Sequence, residues 1–409
     1  MDMSSLVGVL IAMLTALLVV ALVHPRVVEF ATKRQIVDNP NARKLQRNPV
    51  PVMGGVAVFF GLVVGLFAAG IFNVVTPLIF DALSIKSDFV ALDVVELLPI
   101  FLAISIMLGV GVADDVSGLS PKLRFMIEII IVLMLMFWTG QSLDDFQGLW
   151  GINEVPLWIS VPLTVVAAVG IINAINLVDG VDGLSSGYCI MASSIFGILF
   201  YSLGNYLMLL LCVLSIGALL PFFFHNVFGE KSKMFIGDGG SLMMGVVMST
   251  YVVMAITSGG SCERLVSEGF GVVPFALAVM CVPVFDTMRV MIMRIIRGIS
   301  PFSPDKTHLH HLFIELGFSH VGTTICELLL NTIVVASWYL SYKLGASIDV
   351  QFYVVMGVGL LLTAGFYKFM RISNKRDGAL FRATKWLGEK THFEGNRSWG
   401  IVQKIVDYR

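Results

Sequence analysis

Of the 409 residues, 57% are hydrophobic and only 13% are charged, against roughly a quarter charged in ordinary soluble domains, so the chain is composed for lipid rather than for water. The formal net charge of -1 provides no basic field and excludes nucleic acid as a partner on electrostatic grounds. Five scattered cysteines, Cys189, Cys212, Cys262, Cys281 and Cys326, supply neither a disulfide framework nor a thiolate metal cluster.

The first apolar run, 6–23, has no positive residue ahead of it and meets Arg26 after it. That is the reverse polarity of a cleaved secretory signal, and the run reads as a retained anchor. Further runs long enough to cross a hydrocarbon core of about 30 Å follow at 53–72, 97–112, 121–138, 155–172, 187–203, 207–224, 241–257, 270–292, 322–342 and 352–370. Eleven crossings make an all-α polytopic membrane protein. When the connections are assigned alternately to the two sides, one side collects 24 of the 27 lysines and arginines and the other keeps only Lys86, Arg264 and Lys343. Positive loops stay in the cytoplasm, which predicts an outside N-terminus and a cytoplasmic C-terminus. The organisation expected is a transmembrane domain over 1–372 and a basic cytoplasmic tail over 373–409. The tail carries Trp386, Phe393 and Trp399 among its cations and reads as a segment resting on anionic lipid.

Nearly every unusual polar cluster falls on the inner side. The first loop runs from Asp38 through Arg43, Lys44, Gln46 and Arg47 to Gly54-Gly55, cations beside a Pro/Gly-rich helix start that suit an anionic ligand or simply mark the inner face. Asp114-Asp115 closes the third run, followed by Lys122 and Arg124; paired carboxylates at a bilayer boundary are costly to desolvate and mark ion, proton or metal chemistry, or else an exposed turn. Asn173, Asn176, Asp179 and Asp182 stand three residues apart, a spacing that lines one face of a helix, and oxygen ligands of this kind suit Mg²⁺. Phe235-Ile-Gly237-Asp238-Gly239-Gly240-Ser241 reads as a glycine-rich turn whose N–H groups can approach a phosphate; it lacks the lysine of a P-loop. Finally, Arg289, Arg294 and Arg297 precede Thr307-His308-Leu309-His310-His311, a better match to phosphate recognition than to zinc, since no thiol or helical histidine pair accompanies it.

Four of these motifs, Asp114-Asp115, the Asn173 to Leu184 stretch, Gly237-Asp238 and His308-Leu-His310-His311, resemble in type and order the polyprenyl-phosphate N-acetylhexosamine-1-phosphate transferases, also called glycosyltransferase family 4, over residues 1–372. The His-Leu-His-His form is similar to the branch that transfers a simple N-acetylhexosamine phosphate, with the muramoyl-pentapeptide branch as the alternative. One departure is Gln46, where the family often has histidine. The resemblance implies a Mg²⁺-dependent enzyme (Mn²⁺ as a substitute) that moves N-acetylhexosamine 1-phosphate, with GlcNAc favoured, from a UDP-sugar to undecaprenyl or another polyprenyl phosphate. Such an enzyme would release UMP, as the first membrane step of cell-envelope polysaccharide synthesis.

The resemblance further implies Asn176 and Asp238 as metal ligands, and Asp114, Asp115, Asp179, His308, His310 and His311 as the catalytic group. Lys44, Lys122, Asn173, Asp182, Phe235, Arg294 and Arg297 would hold substrate, with Phe235 stacking on uracil and Asp179 and Asp182 also near the nucleoside. It places the protein in a bacterial inner membrane with the active site cytoplasmic, and leaves room for a homodimer. A secondary transporter, suggested by Glu128, Asp286 and Glu327 within apolar runs, is the reading from another class.

Overall fold

The structure is a computed structural model that describes residues 3–39, 49–82, 92–257, 262–301, 303, 306–375 and 378–407. Lys44 and Gln46 lie outside the described residues. In chain order the helices and strands are α1 (Met3–Lys33), β1 (Val37–Asp38), β2 (Val50–Pro51), α2 (Gly54–Ala82), α3 (Leu98–Ser117), α4 (Pro121–Thr139), α5 (Leu157–Val178), α6 (Leu184–Ser202), α7 (Tyr206–Phe228) and α8 (Gly237–Ile256). There follow α9 (Glu263–Ser267), α10 (Val272–Val279), α11 (Cys281–Ile296), α12 (Leu309–Glu315), α13 (His320–Lys343), α14 (Ile348–Leu360), α15 (Phe366–Lys375), α16 (Ala379–Glu389) and α17 (Arg397–Val406).

Each apolar run of the sequence lies on helix, and the chain is a multi-pass, all-α membrane protein. Among the described residues nine helices are long and apolar enough to cross a bilayer, and the pair α10–α11, bent by 73°, makes a tenth if counted as one span. The remaining expected crossing is α4, which has the length but carries Lys122, Arg124 and Glu128 in its first turns. The bend has a local cause. Pro283 has no N–H to give to the carbonyl four residues back, Val279, and a freed carbonyl in an apolar interior needs another donor. The buried Asn331 of α13 supplies it, donating Nδ2 to Val279 O at 3.0 Å while its Oδ1 accepts from Val282 N–H at 3.0 Å. The Tyr188 hydroxyl donates to the same Val279 carbonyl.

At the centre stands α8, 89% of whose most apolar stretch is buried inside the protein. Its small residues let neighbouring backbones press close, the usual device for helix association where lipid offers no hydrophobic driving force between helices. A Cβ on Gly111 of α3 would run into the Gly239 backbone, one on Gly55 of α2 into Gly240, and one on Gly245 would come 2.7 Å from the Ile172 Cα of α5. Toward the C-terminal half of α8 the core is aromatic, with Phe196, Phe200, Tyr251 and Phe275 in ring contact.

The start of α8 differs from the sequence reading in an instructive way. The stretch from Gly237 is the first helical turn itself and not a free loop before a helix at 241. β1 and β2 pair antiparallel, Val37 with Pro51 and Asp38 with Val50, and this hairpin is tied to the residues before α8 by Phe235 N–H to Pro51 O (2.9 Å), Gly54 N–H to Phe235 O (2.9 Å) and Gly55 N–H to Ile236 O (2.8 Å). The ends of α3, α5 and α7 and the starts of α8, α12 and α13 thereby gather at one end of the bundle.

Replacing Asn331 with leucine leaves the Val282 N–H without a partner while Tyr188 still serves Val279. One stranded buried donor costs about 1–3 kcal/mol, so the variant should unfold at a clearly lower temperature in detergent micelles; an unchanged midpoint would show that the break is held some other way.

Candidate active site

At that end of the bundle a cavity of about 400 Å³ is lined by Ile36, Val37 and Asp38 of the hairpin, Asp115 from α3, the 179–182 turn after α5, Asn226 from α7, Phe235, Gly237 and Asp238 at the start of α8, and His311 and His320. Five of these residues carry carboxylates: Asp38, Asp115, Asp179, Asp182 and Asp238. How each acquires its place follows from the local backbone.

Asp115 accepts from the backbone N–H of Asp238 (3.1 Å) and Gly239 (3.3 Å), so a carboxylate occupies the positive end of α8, where unpaired N–H groups and the helix dipole favour an anion. Two of the N–H groups read from sequence as able to approach a phosphate, those of Asp238 and Gly239, are therefore already taken. Gly237 makes the approach possible: its φ of +73° suits glycine, and a Cβ there would come 2.6 Å from Asp115 Oδ2. Asp114 points elsewhere, accepting from Leu119 N–H at 2.6 Å and from Arg124 Nη1 at 3.0 Å. Arg124 also reaches Asp238 at 3.9 Å and Glu128 at 3.7 Å, and so links the aspartate pair to the cavity.

On α5 the three-residue spacing does not hold one face. Steps of about 300° leave successive members about 60° apart, and the helix ends at Val178. Asn173 donates to Glu128 of α4, whereas Asn176 faces α8, its Nδ2 donating to Asp238 Oδ1 at 2.7 Å and Ser241 Oγ at 2.9 Å. Past the helix end, Asp179 lies on the cavity wall. Desolvation first, and then the nearby Asp238, Asp115 and Asp182, push its carboxyl well above the usual range. Asp182 is held between Lys233 Nζ at 2.6 Å and His320 Nδ1 at 2.7 Å. Burial pulls its carboxyl upward, but these two partners outweigh that and hold it below the usual range. Its Oδ1 is buried without a hydrogen-bond partner.

The three histidines divide. His308 Nδ1 pairs with Asp286 Oδ2 at 2.8 Å, and Asp286 also takes Arg289 at 2.6 Å, whose guanidinium lies 3.9 Å over the Tyr367 ring; this clamp fixes the loop. His310 is buried against Gly180, where a Cβ would come 2.6 Å from Nε2. Burial, then His311 and His308, lower its pKa well below the ordinary value, so it is neutral at pH 7. His311 alone of the three lines the cavity. Arg294 is buried and donates to Pro301 O at 2.6 Å, while Arg297 and Lys122 are exposed and do not line the cavity. Sequence reasoning passed over His320, Lys233, Asn226 and Arg124 as site residues. Lys233 stands two places before Phe235 and could have been flagged; His320, the first residue of a helix, had no spacing to mark it.

Packed apolar spans with a carboxylate-rich pocket at one end make this a polytopic membrane protein with a site suited to cations and phosphates. The family model for glycosyl transferase family 4 matches residues 97–256. Similar proteins include a probable undecaprenyl-phosphate N-acetylglucosaminyl 1-phosphate transferase of Bacillus subtilis (strain 168), 31% identical over 77% of this chain and 80% of the relative. Two undecaprenyl-phosphate alpha-N-acetylglucosaminyl 1-phosphate transferases are also similar: that of Yersinia pestis at 30% over 71% and 72%, and that of Escherichia coli (strain K12) at 28% over 76% and 78%. The chain belongs to this glycosyl transferase family.

Among the described residues no group of three His, Cys, Asp or Glu side chains is placed to hold a metal ion. A Mg²⁺ ion asks for less, one or two protein oxygens with water and phosphate completing its shell. Asn176 and Asp238 fit that demand: a half-turn of the amide presents Oδ1 where Nδ2 now sits, so the two side chains can share a cation in place of their hydrogen bond.

Gly237→Ala combines left-handed backbone strain, about 1–2 kcal/mol for a non-glycine residue, with a clash on Asp115, and should cut turnover at least about a hundredfold. Gly118→Ala meets the same strain at φ +68° with nothing within 4 Å and should lower stability while leaving most activity. Equal losses in a side-by-side turnover assay would contradict the role given to Asp115.

Proposed function

We propose that the protein transfers N-acetylglucosamine 1-phosphate from UDP-GlcNAc to undecaprenyl phosphate and releases UMP, at the cytoplasmic face of a bacterial plasma membrane. The observation that carries this reading is the cavity itself: five aspartates, two histidines and a half-buried phenylalanine around about 400 Å³, at the end of the bundle where the sequence concentrates its lysines and arginines. The similar proteins of Bacillus subtilis and Yersinia pestis, undecaprenyl-phosphate N-acetylglucosaminyl 1-phosphate transferases by name, support the same acceptor and sugar.

The chemistry asks a phosphate oxygen of the lipid to attack the sugar-bearing phosphorus, while the bond to the inner phosphate breaks and UMP departs. A divalent ion held by Asn176 and Asp238 would screen the charge that accumulates. The chain's own residues do the rest. Phe235 offers a ring to the uracil, and Asp182, fixed by Lys233 and His320, presents an acceptor to the nucleoside. Asp115, bound to the start of α8, sets where Asp238 stands. Neutral His310 supports the 179–183 turn, and His311 faces the diphosphate. A phosphate monoester has its second pKa near about 6 and is largely dianionic at pH 7, so the acceptor needs placement more than deprotonation.

In membranes or nanodiscs supplied with undecaprenyl phosphate and Mg²⁺, UMP should appear from UDP-GlcNAc, stop on addition of EDTA and return with Mg²⁺ or Mn²⁺. Asp238→Ala should lower the rate by about a thousandfold or more while the protein still inserts and folds. No UMP from any UDP-N-acetylhexosamine, with folded protein and lipid present, would defeat the proposal.

A further inference from the structure

The two partners of Asp182 lie in different parts of the chain, Lys233 in the α7–α8 loop and His320 at the start of α13, and the C-terminal tail touches the neighbour of each. Asp407, just past α17, accepts from the backbone N–H of Glu230 (3.0 Å), Lys231 (3.2 Å) and Ser232 (3.0 Å) and from the Ser232 hydroxyl (2.8 Å). A carboxylate bound by three successive backbone N–H groups and a hydroxyl fixes that loop one residue before Lys233. Gln403 adds a bond from Nε2 to Glu230 Oε2 at 3.0 Å, and the Trp399 ring sits 4.6 Å from that of Phe228 at the end of α7.

Thr391, after α16, does the equivalent at the other partner. Its Oγ1 accepts from Ser319 N–H at 3.0 Å and its carbonyl from the Ser319 hydroxyl at 2.6 Å. Ser319 is in turn the cap of α13, its Oγ accepting from Gly322 N–H at 3.0 Å, and His320 is the first residue of that helix. His392 Nε2 lies 3.1 Å from Gly317 O, and Gly388 packs so close to Leu316 O that a Cβ there would stand 2.6 Å away.

We propose that the C-terminal tail is a clasp for the substrate site, with Asp407 and Thr391 as positioning residues that hold Lys233 and His320 on Asp182. The inference rests on the reading of the cavity as the donor site, and it assigns a role to a segment that sequence alone shows only as basic and lipid-facing. Neither residue touches the cavity, so the tail acts through the loops it binds. A clasp of this kind governs how well the nucleoside end is presented, and the bond-breaking geometry at Asp238 stays as it is.

The test uses the full-length protein in nanodiscs. Asp407→Ala should raise KM for UDP-GlcNAc about tenfold, since the bonds it loses are charge-assisted, and, separately, the near-isosteric Thr391→Val, which loses a neutral bond, about threefold, each with kcat within about twofold. Asp407→Glu should restore KM, and Lys404→Ala, an exposed tail change, should leave it unaltered. Hydrogen exchange should rise at 230–233 in the first variant and at 318–321 in the second. Unchanged exchange at both loops, an unchanged KM despite faster exchange, or a fall in kcat alone would each overturn the clasp. If the wild type itself turns over no UDP-sugar, the functional reading has failed, and exchange at 181–183 then decides the clasp: faster in both variants supports it, unchanged refutes it.

Discussion

The structure is organised around a concentration of negative charge that a membrane protein would otherwise avoid. Asp115, Asp179, Asp182 and Asp238 face one cavity, and two like charges about 4 Å apart repel by about 1 kcal/mol in water and about 4 kcal/mol at the effective dielectric of a protein surface. Three devices hold the group together. The start of α8 binds Asp115 through two backbone N–H groups, Arg124 spans Asp114 and Asp238, and Lys233 with His320 binds Asp182. Asp179, whose carboxyl burial and the neighbouring carboxylates push upward, completes the group with Asp238, and the proposed divalent ion would lower the cost of ionising both.

That arrangement explains features of the scaffold that would otherwise look unrelated. Gly111 and Gly239 let α3 come near enough for Asp115 to reach the α8 backbone. Pro283 breaks a span, and Asn331 repairs the break from α13, which lets α11 turn away and present Asp286 to His308. The clamp on His308 sets the short helix that carries His310 and His311. The paired strands β1 and β2 close one wall by pairing with the residues before α8, and the tail ties down the two loops that hold Asp182. Each of these pieces is remote in sequence from the carboxylates it serves.

Much of this was legible from the residues. Apolar runs located the helices because a bilayer permits few alternatives, and the clustering of Asp, Asn, His and Gly at alternate helix ends marked one face. The sequence was less informative where direction depends on tertiary contact. Asn173 and Asn176 look equivalent in the string, yet a rotation of about 60° sends one to Glu128 and the other to Asp238. Arg294 and Arg297 sit beside the histidine motif but turn to Pro301 and to the exterior, and only packing decides that. The glycine-rich turn at 237–240 reads as a phosphate cradle until Asp115 is seen filling it. His320, Asn226 and the tail contacts of Asp407 and Thr391 depend on residues 43 to more than 170 positions away, and no local pattern encodes them.

The proposed function turns on one divalent ion shared by Asn176 and Asp238 beside this charge cluster. Anomalous scattering from crystals of the full chain grown with Mn²⁺ and UMP addresses it most directly. The account predicts a single strong manganese peak in contact with Asn176 and Asp238, on the cavity side of Asp115, and its loss in Asp238→Asn crystals. A peak seated on Asp114, on the histidines or outside the cavity, with nucleotide bound, would contradict it.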